Sequence, residues 1–190
     1  MRFAALVLGL AMFASGCATT AKAIDFMPLA VGNRWTYRVT PGPTQAQEVV
    51  ILKRDSDGFF VDNQGGRLAP RRDGIFDGTR FLLEEPLVVD HSWSAVPGNA
   101  SAERYRIIAN DAEVTVEAGT FAPCVIVQGE QPTRDPNTGK SATLIMTWTY
   151  ARGVGLVEMQ QAVRLSPDIV QTTAKIELLS FAPAQAATAR

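Results

Sequence analysis

The chain has one histidine, His91, so any catalytic triad or histidine metal centre would have to be built on it. Its neighbour Ser92 is the hydroxyl next to hand, but adjacent residues of an extended run point to opposite faces, which argues against a Ser–His hydrogen bond. Asp90 and His91 read instead as a solvated turn at a strand start. A zinc site needs three or four nitrogen, sulfur or carboxylate ligands, and this histidine with so few cysteines does not supply them. Asp135 and Asn137 could suggest calcium, yet the loop lacks the spaced acidic set and closing glutamate of such a site and reads as a turn. Glu84 and Glu85 precede Pro86 in a solvated bend. Gly153 and Gly155 lack the third glycine and following helix of a dinucleotide loop. No catalytic residue, metal site or cofactor is expected, and the chain is not expected to be an enzyme.

The cysteines carry a different chemistry. Arg2 gives a short positive start, Phe3 to Phe13 is an apolar run, and Ala14-Ser15-Gly16 leads directly into Cys17. That run is too short to cross a bilayer, which takes roughly 20 residues. Small residues before a cysteine resemble the bacterial lipobox, in which the thiol takes a diacylglycerol and becomes the new N-terminus. Ala14 stands where leucine is usual. The resemblance implies a signal peptide over residues 1–16, lipidation at Cys17, and a membrane anchor of two or three acyl chains. Ala18, rather than aspartate, after that cysteine implies sorting to the inner leaflet of the outer membrane, facing the periplasm. Cys124 is then left without a disulfide partner. Between Pro123 and Val125-Ile126-Val127 it reads as a small buried hydrophobe.

Lys and Arg number 18 against 19 Asp and Glu, with no basic run, so nucleic acid is not an expected partner. The chain after Gly16 is long enough for one self-sufficient core.

The elements that would position these residues are strands. In Ser141 to Leu165 two extended runs flank the Gly153-Val154-Gly155 break: Leu144, Met146, Trp148 and Tyr150 alternate with Thr143, Thr147 and Thr149. Trp35, Tyr37 and Val39 alternate with Arg34, Thr36 and Arg38. Asp57-Gly58, Gly65-Gly66, Asp73-Gly74 and Asp77-Gly78 punctuate a meander of short runs. From Glu103 the alternation resumes, with a turn expected at Asn110-Asp111, and a last strand runs from Val170 to Phe181. With no convincing amphipathic helix to cover it, a one-sided sheet has to curl or stack on another. The expected fold is all-β: a single curled or closed antiparallel sheet (half-barrel, barrel or sandwich), with few or no helices. The expected layout is a lipidated N-terminus and tether over 17–25, a β domain over 26–181, and a disordered tail over 182–190.

Residues 28–35 (PLAVGNRW) are echoed by 86–93 (PLVVDHSW), with proline, leucine, valine and tryptophan at equal offsets. A physical reason would be that each copy swings the chain into the core and plants a tryptophan at a strand start. Nothing else between the copies repeats, and a single domain is expected.

PLAVGNRWTY (28–37), AGTFAPCVIV (118–127) and YARGVGLVEM (150–159) resemble the motifs of a group of uncharacterised bacterial envelope lipoproteins, distantly similar to the periplasmic lipoprotein-carrier fold. The resemblance implies export and a curled sheet with an apolar concave face; it implies no reaction. Two functions stay open. One is a non-catalytic interaction or scaffold module that engages envelope proteins. The other is a carrier or sensor holding an acyl chain or other apolar ligand inside the curl. A groove for the latter would be lined by Trp35, Trp93, Met146, Trp148 and Tyr150, with Tyr37 and Tyr105 nearby; inward aromatics on strands are more often simply core. A hollow interior would favour the carrier and a filled one the scaffold.

Overall fold

The computed structural model describes residues 21–42, 46–96, 101–135 and 138–185. Residues 1–16, expected to be a signal peptide, and Cys17, the expected lipidation site, lie outside the described residues. The described chain forms one twelve-stranded antiparallel sheet, nearly closed into a barrel, and a single helical turn. The strands are β1 (Arg34–Thr40), β2 (Gln47–Arg54), β3 (Phe60–Asp62), β4 (Arg67–Arg71), β5 (Gly74–Phe76) and β6 (Phe81–Glu84), then β7 (Ser92–Ala95), β8 (Glu103–Val116), β9 (Gly119–Arg134), β10 (Ser141–Ala151), β11 (Gly155–Ser166) and β12 (Ile169–Ala182).

Their order is that of two meanders joined head to tail. β1 to β6 run one way across the sheet, β12 to β7 run the other, and β1 pairs with β12 at the junction. Each meander begins with one copy of the proline–leucine–valine–tryptophan loop. The two free edges, β6 and β7, meet where Trp93 Nε1 donates to the Phe81 carbonyl at 3.0 Å, and beside them Arg80 of the β5–β6 turn pairs with Glu103 of β8 at 2.5 Å. Closure of this kind leaves little exposed strand edge.

Period-two patterning places the core. One row runs through Ile107, Val127, Trp148, Met159, Ile176 and Val39 on successive strands, and the next through Val125, Tyr150 and Leu156. Trp35 stacks on its cross-strand partner Phe181, ring centroids 5.3 Å apart, an arrangement that adds about 0.5–1.5 kcal/mol to the burial itself.

The β8–β9 hairpin departs from the sequence expectation. The turn expected at Asn110-Asp111 is a bend inside one continuous strand, because the register against β9 breaks three times between Ile107 and Val114. Such irregularities sharpen local twist. The bent hairpin reaches β12, where Ala118 N donates to Leu178 O at 3.1 Å and Arg38 on β1 pairs with Glu117. A second core forms beneath it from Val116, Cys124, Ala151, Val157 and Leu178. Cys124 and Val125 are therefore both 0% exposed, although neighbours on a strand face opposite ways.

The N-terminal segment read as a tether is partly core. Lys22 to Phe26 forms the helical turn α1 (Ala23–Phe26), with Ala23 and Phe26 buried. Ala23 N donates to Glu85 Oε1 at 2.8 Å, Gly153 N donates to Asp25 O at 2.7 Å, and the Arg152 guanidinium lies over the Phe26 ring. The turn is pinned between the loop before β7 and the β10–β11 turn, and Ala23 and Phe26 join the core there. The C-terminal boundary also shifts, since β12 runs to Ala182 and Ala184 N donates to Asn33 Oδ1 at 2.7 Å.

Candidate functional site

Two cavities lie on either side of the Trp148 indole. The first, a chamber of about 220 Å³, is walled by Trp35 and Tyr37 from β1, Ile51 from β2, Phe60 from β3, and Tyr150 and Leu156 from the β10–β11 hairpin. Two of the wall groups are fastened across the fold. Trp35 Nε1 donates to Val154 O at 2.7 Å, and Tyr37 OH donates to Leu156 O at 3.0 Å. Residues two apart on β1 thus hold residues two apart beside the β10–β11 turn, which fixes both rings and keeps the chamber open between them. Asp62 also borders the chamber, but its Oδ1 accepts from the Gln64 and Gly66 amides at 2.8 Å each, so it serves the β3–β4 turn.

The second cavity, about 180 Å³, is a vestibule over the row Tyr105–Gly129–Met146–Gln161. Gly129 is required there. A Cβ on it would lie 2.9 Å from atoms of both the Trp148 and Tyr105 rings, so the missing side chain is the space those rings occupy. The rim is polar. Arg80 pairs with Asp77 at 3.2 Å and Glu103 at 2.5 Å, and Tyr105 OH donates to the same Glu103 oxygen. Burial disfavours the charge on Arg80, but the hydrogen bond to Glu103 and the surrounding negative charge outweigh it and leave its pKa raised. The guanidinium is thus already neutralised by two carboxylates. Gln131 and Gln161 also line the vestibule.

The phenols are all held protonated. Burial pushes Tyr37 far up, with the nearby Tyr150 adding to it. Burial and then the hydrogen bond to Glu103 raise Tyr105. Burial raises Tyr150 most of all its influences, while Arg80 opposes it. Neither cavity is lined by a serine, cysteine, histidine or lysine, and the vestibule carboxylates Glu103 and Glu130 are each paired with an arginine, Arg80 and Arg164.

Of the five residues expected to line an apolar groove, Trp35, Trp148 and Tyr150 come together in the chamber. Met146 lies next door in the vestibule, with Trp148 as the shared wall. Trp93 is elsewhere: it stacks between His91 and Tyr105, at 5.8 and 5.4 Å, and spends its N–H on Phe81 to seal the edges of the sheet. His91 sits 3.3 Å from Glu84 Oε1 at that seam, lining neither cavity. Cys124 donates its thiol to Phe121 O at 3.3 Å, and burial raises its pKa. Asp135 caps its own turn, accepting from Thr138 at 2.5 Å; Asn137 lies outside the described residues. Sequence reasoning missed the Arg80–Glu103 pair, which joins a turn to a distant strand and leaves no local pattern, and Leu156, whose inward position follows from a bulge between Thr149 and Tyr150.

No family model matches the chain, and no curated protein does. Two solved structures resemble it. One is described as "a putative lipoprotein" from Parabacteroides distasonis, with 15% identity, a TM-score of 0.43, and coverage of 83% of this chain and 98% of that one. The other is described as "a putative exported protein with YmcC-like fold" from Bacteroides fragilis, with 13% identity, a TM-score of 0.43, and coverage of 81% and 97%. At these values the likeness says nothing about ligand or activity.

Proposed function

We propose that this protein is an exported envelope lipoprotein, anchored through Cys17, whose curled sheet holds a small apolar ligand in the chamber between β1, β2, β3 and the β10–β11 hairpin. The observation that carries the reading is the chamber itself: an opening of about 220 Å³ walled by aromatic and aliphatic side chains that are fixed by hydrogen bonds of their own. A scaffold protein would have no use for that space, and filling it would add stability. The volume limits the occupant. An engineered cavity of about 150 Å³ admits a benzene ring, so the chamber suits one ring or a short alkyl group, not the several acyl chains of a lipoprotein. The anchor reading rests on the short apolar leader and the small residues before Cys17.

Native mass spectrometry of the protein purified from its own envelope tests the ligand. A co-purifying apolar small molecule that is lost on Leu156→Trp is the expected result. Protein that is empty from every preparation, with Leu156→Trp folding as well as the parent, would count against it. Incorporation of radiolabelled palmitate that disappears in Cys17→Ser tests the anchor.

A further inference from the structure

The chamber wall is mostly apolar; Asp62, which borders it, is spent on the β3–β4 turn. Tyr150 is 2% exposed and lines the chamber, yet its hydroxyl has no hydrogen-bond partner among the described residues. The other two tyrosines differ, Tyr37 donating to Leu156 O and Tyr105 to Glu103. Tyrosine hydroxyls inside a fold ordinarily find a partner, and this one is not among the fully enclosed atoms left without one, so it keeps access to open space beside the ring.

The tryptophans show the same division. Trp35 and Trp93 each donate to a backbone carbonyl, whereas the Trp148 indole N–H donates to no group among the described residues. Trp148 and Tyr150 alternate on β10, so both point to the same face, and both border the chamber. Two residues whose donors meet no acceptor among the described residues therefore line the chamber, and one of them, Trp148, also lines the vestibule. Tyr150 also feels Tyr37 from the chamber side and Arg80 and Tyr105 from the vestibule side.

On the reading that the chamber holds a ligand, we infer that the ligand is a compact uncharged molecule. It carries one hydrogen-bond acceptor, a carbonyl or ether oxygen, that receives the Tyr150 hydroxyl and the Trp148 indole N–H while its apolar body fills the chamber. The charges argue for an uncharged head. Arg80 is the cation that lines the vestibule, and it is already paired with Asp77 and Glu103, leaving a surplus of negative charge rather than a free cation for a carboxylate or phosphate. A fatty-acid anion entering here would face Glu103 with no counter-ion. An acceptor without charge answers both idle donors and meets no repulsion.

Three probes of matched size separate the possibilities: cyclohexanone, methylcyclohexane and cyclohexanecarboxylate. They are titrated into the exported chain carrying Cys17→Ser, which removes the acyl anchor, while the three indole N–H resonances are followed by NMR. Cyclohexanone is expected to bind tightest and to move the Trp148 indole signal, leaving those of Trp35 and Trp93 nearly still. Tyr150→Phe is expected to weaken cyclohexanone roughly three- to tenfold, the value of one hydrogen bond, and to leave methylcyclohexane within about twofold. If methylcyclohexane binds as tightly as cyclohexanone, the inference fails while the apolar chamber stands. If cyclohexanecarboxylate binds tightest, the uncharged class is wrong. If none of the three binds, the chamber reading falls and this inference with it. The ranking in the unsubstituted site decides the matter even if Tyr150→Phe folds poorly.

Discussion

Gly32 and Asp90 occupy the same backbone position in two loops that begin the two halves of the sheet, with φ of +97° and +70°. The bonds around them repeat atom for atom. Asn33 N donates to Ala30 O and His91 N to Val88 O, both at 3.1 Å. Gly32 N donates to Ile51 O and Asp90 N to Ile107 O, while Ile51 N and Ile107 N return to Asn33 O and His91 O. The left-handed residue swings the chain so that Trp35 and Trp93 enter the core at matching strand starts. Aspartate tolerates this conformation better than most residues and glycine better still, while a β-branched residue is strained there. Gly32→Val and Asp90→Val are each expected to lower stability by about 1–2 kcal/mol, and Asp90→Gly to cost less than Asp90→Val. Urea midpoints of the three variants check the order.

At Gly129 a side chain is excluded by space rather than by φ. With both ring contacts at 2.9 Å, Gly129→Ala has to push Trp148 or Tyr105 aside, and overpacking of that kind costs about 1–3 kcal/mol. Because Trp148 is the wall between the cavities, the same substitution is expected to shift its fluorescence maximum. Trp35, remote from Gly129, contributes no such change.

The strands of the long hairpin were legible because each buries one face. Leu144, Met146, Trp148 and Tyr150 alternate with threonines, and the register follows from that pattern. The repeat at Trp35 and Trp93 was equally legible, and its bonds supply the physical reason. What could not be read was whatever depends on chain segments meeting from afar. The bend at Asn110-Asp111 has turn residues, and only the partner strand decides that it continues. Ala23 and Phe26 carry no helical period in so short a segment, so their burial against Glu85 and Gly153 left no trace. Of the residues expected to line a groove, Trp93 belongs to the seam because its acceptor, Phe81 O, lies on another strand. Nor could spacing reveal that Tyr150 and Trp148, of all the aromatics, keep idle donors.

The phenols give the protein an alkaline limit. All three tyrosines have folded-state pKa values raised above the ordinary value of about 10, burial being the leading cause in each. The unfolded chain releases these protons first as pH rises, so the folded state binds more protons there. The stability they contribute is full below about pH 10 and is lost as pH climbs from there toward the folded values. Absorbance near 295 nm is expected to stay flat through pH 10 and to rise together with the loss of circular dichroism. Tyrosinate appearing near pH 10 with the β signal intact would contradict the burial of these rings.

Cys124 is expected to be inert. Its thiol is wholly buried, bonded to the Phe121 carbonyl and held above its ordinary pKa by burial, and thiolate is the reactive form. In Cys17→Ser, a thiol reagent is expected to label the native protein no faster than it unfolds and to label one site promptly in denaturant. Cys124→Ala leaves a small void under the β8–β9 hairpin and is expected to cost about 1 kcal/mol.

The seam between β6 and β7 is the place where the sheet opens most easily. No ladder joins these strands; the Trp93 indole N–H on the Phe81 carbonyl, the His91–Glu84 contact and the Arg80–Glu103 pair between the β5–β6 turn and β8 cross the seam. Trp93→Phe keeps much of the ring but removes the donor, leaving the Phe81 carbonyl without it, at a cost of about 1–3 kcal/mol. Because the loss falls on an edge, it is expected to free that edge locally before the whole domain unfolds. Hydrogen exchange should quicken in residues 81–84 and 92–95 and stay unchanged in β10 and β11. Trp35→Phe makes the contrast: its bond ties β1 to Val154 O beside the chamber, so faster exchange there is expected at residues 153–157 and not at the seam. Uniform acceleration in both variants would mean that the sheet unfolds only as one unit and that the seam is no weaker than the ladders.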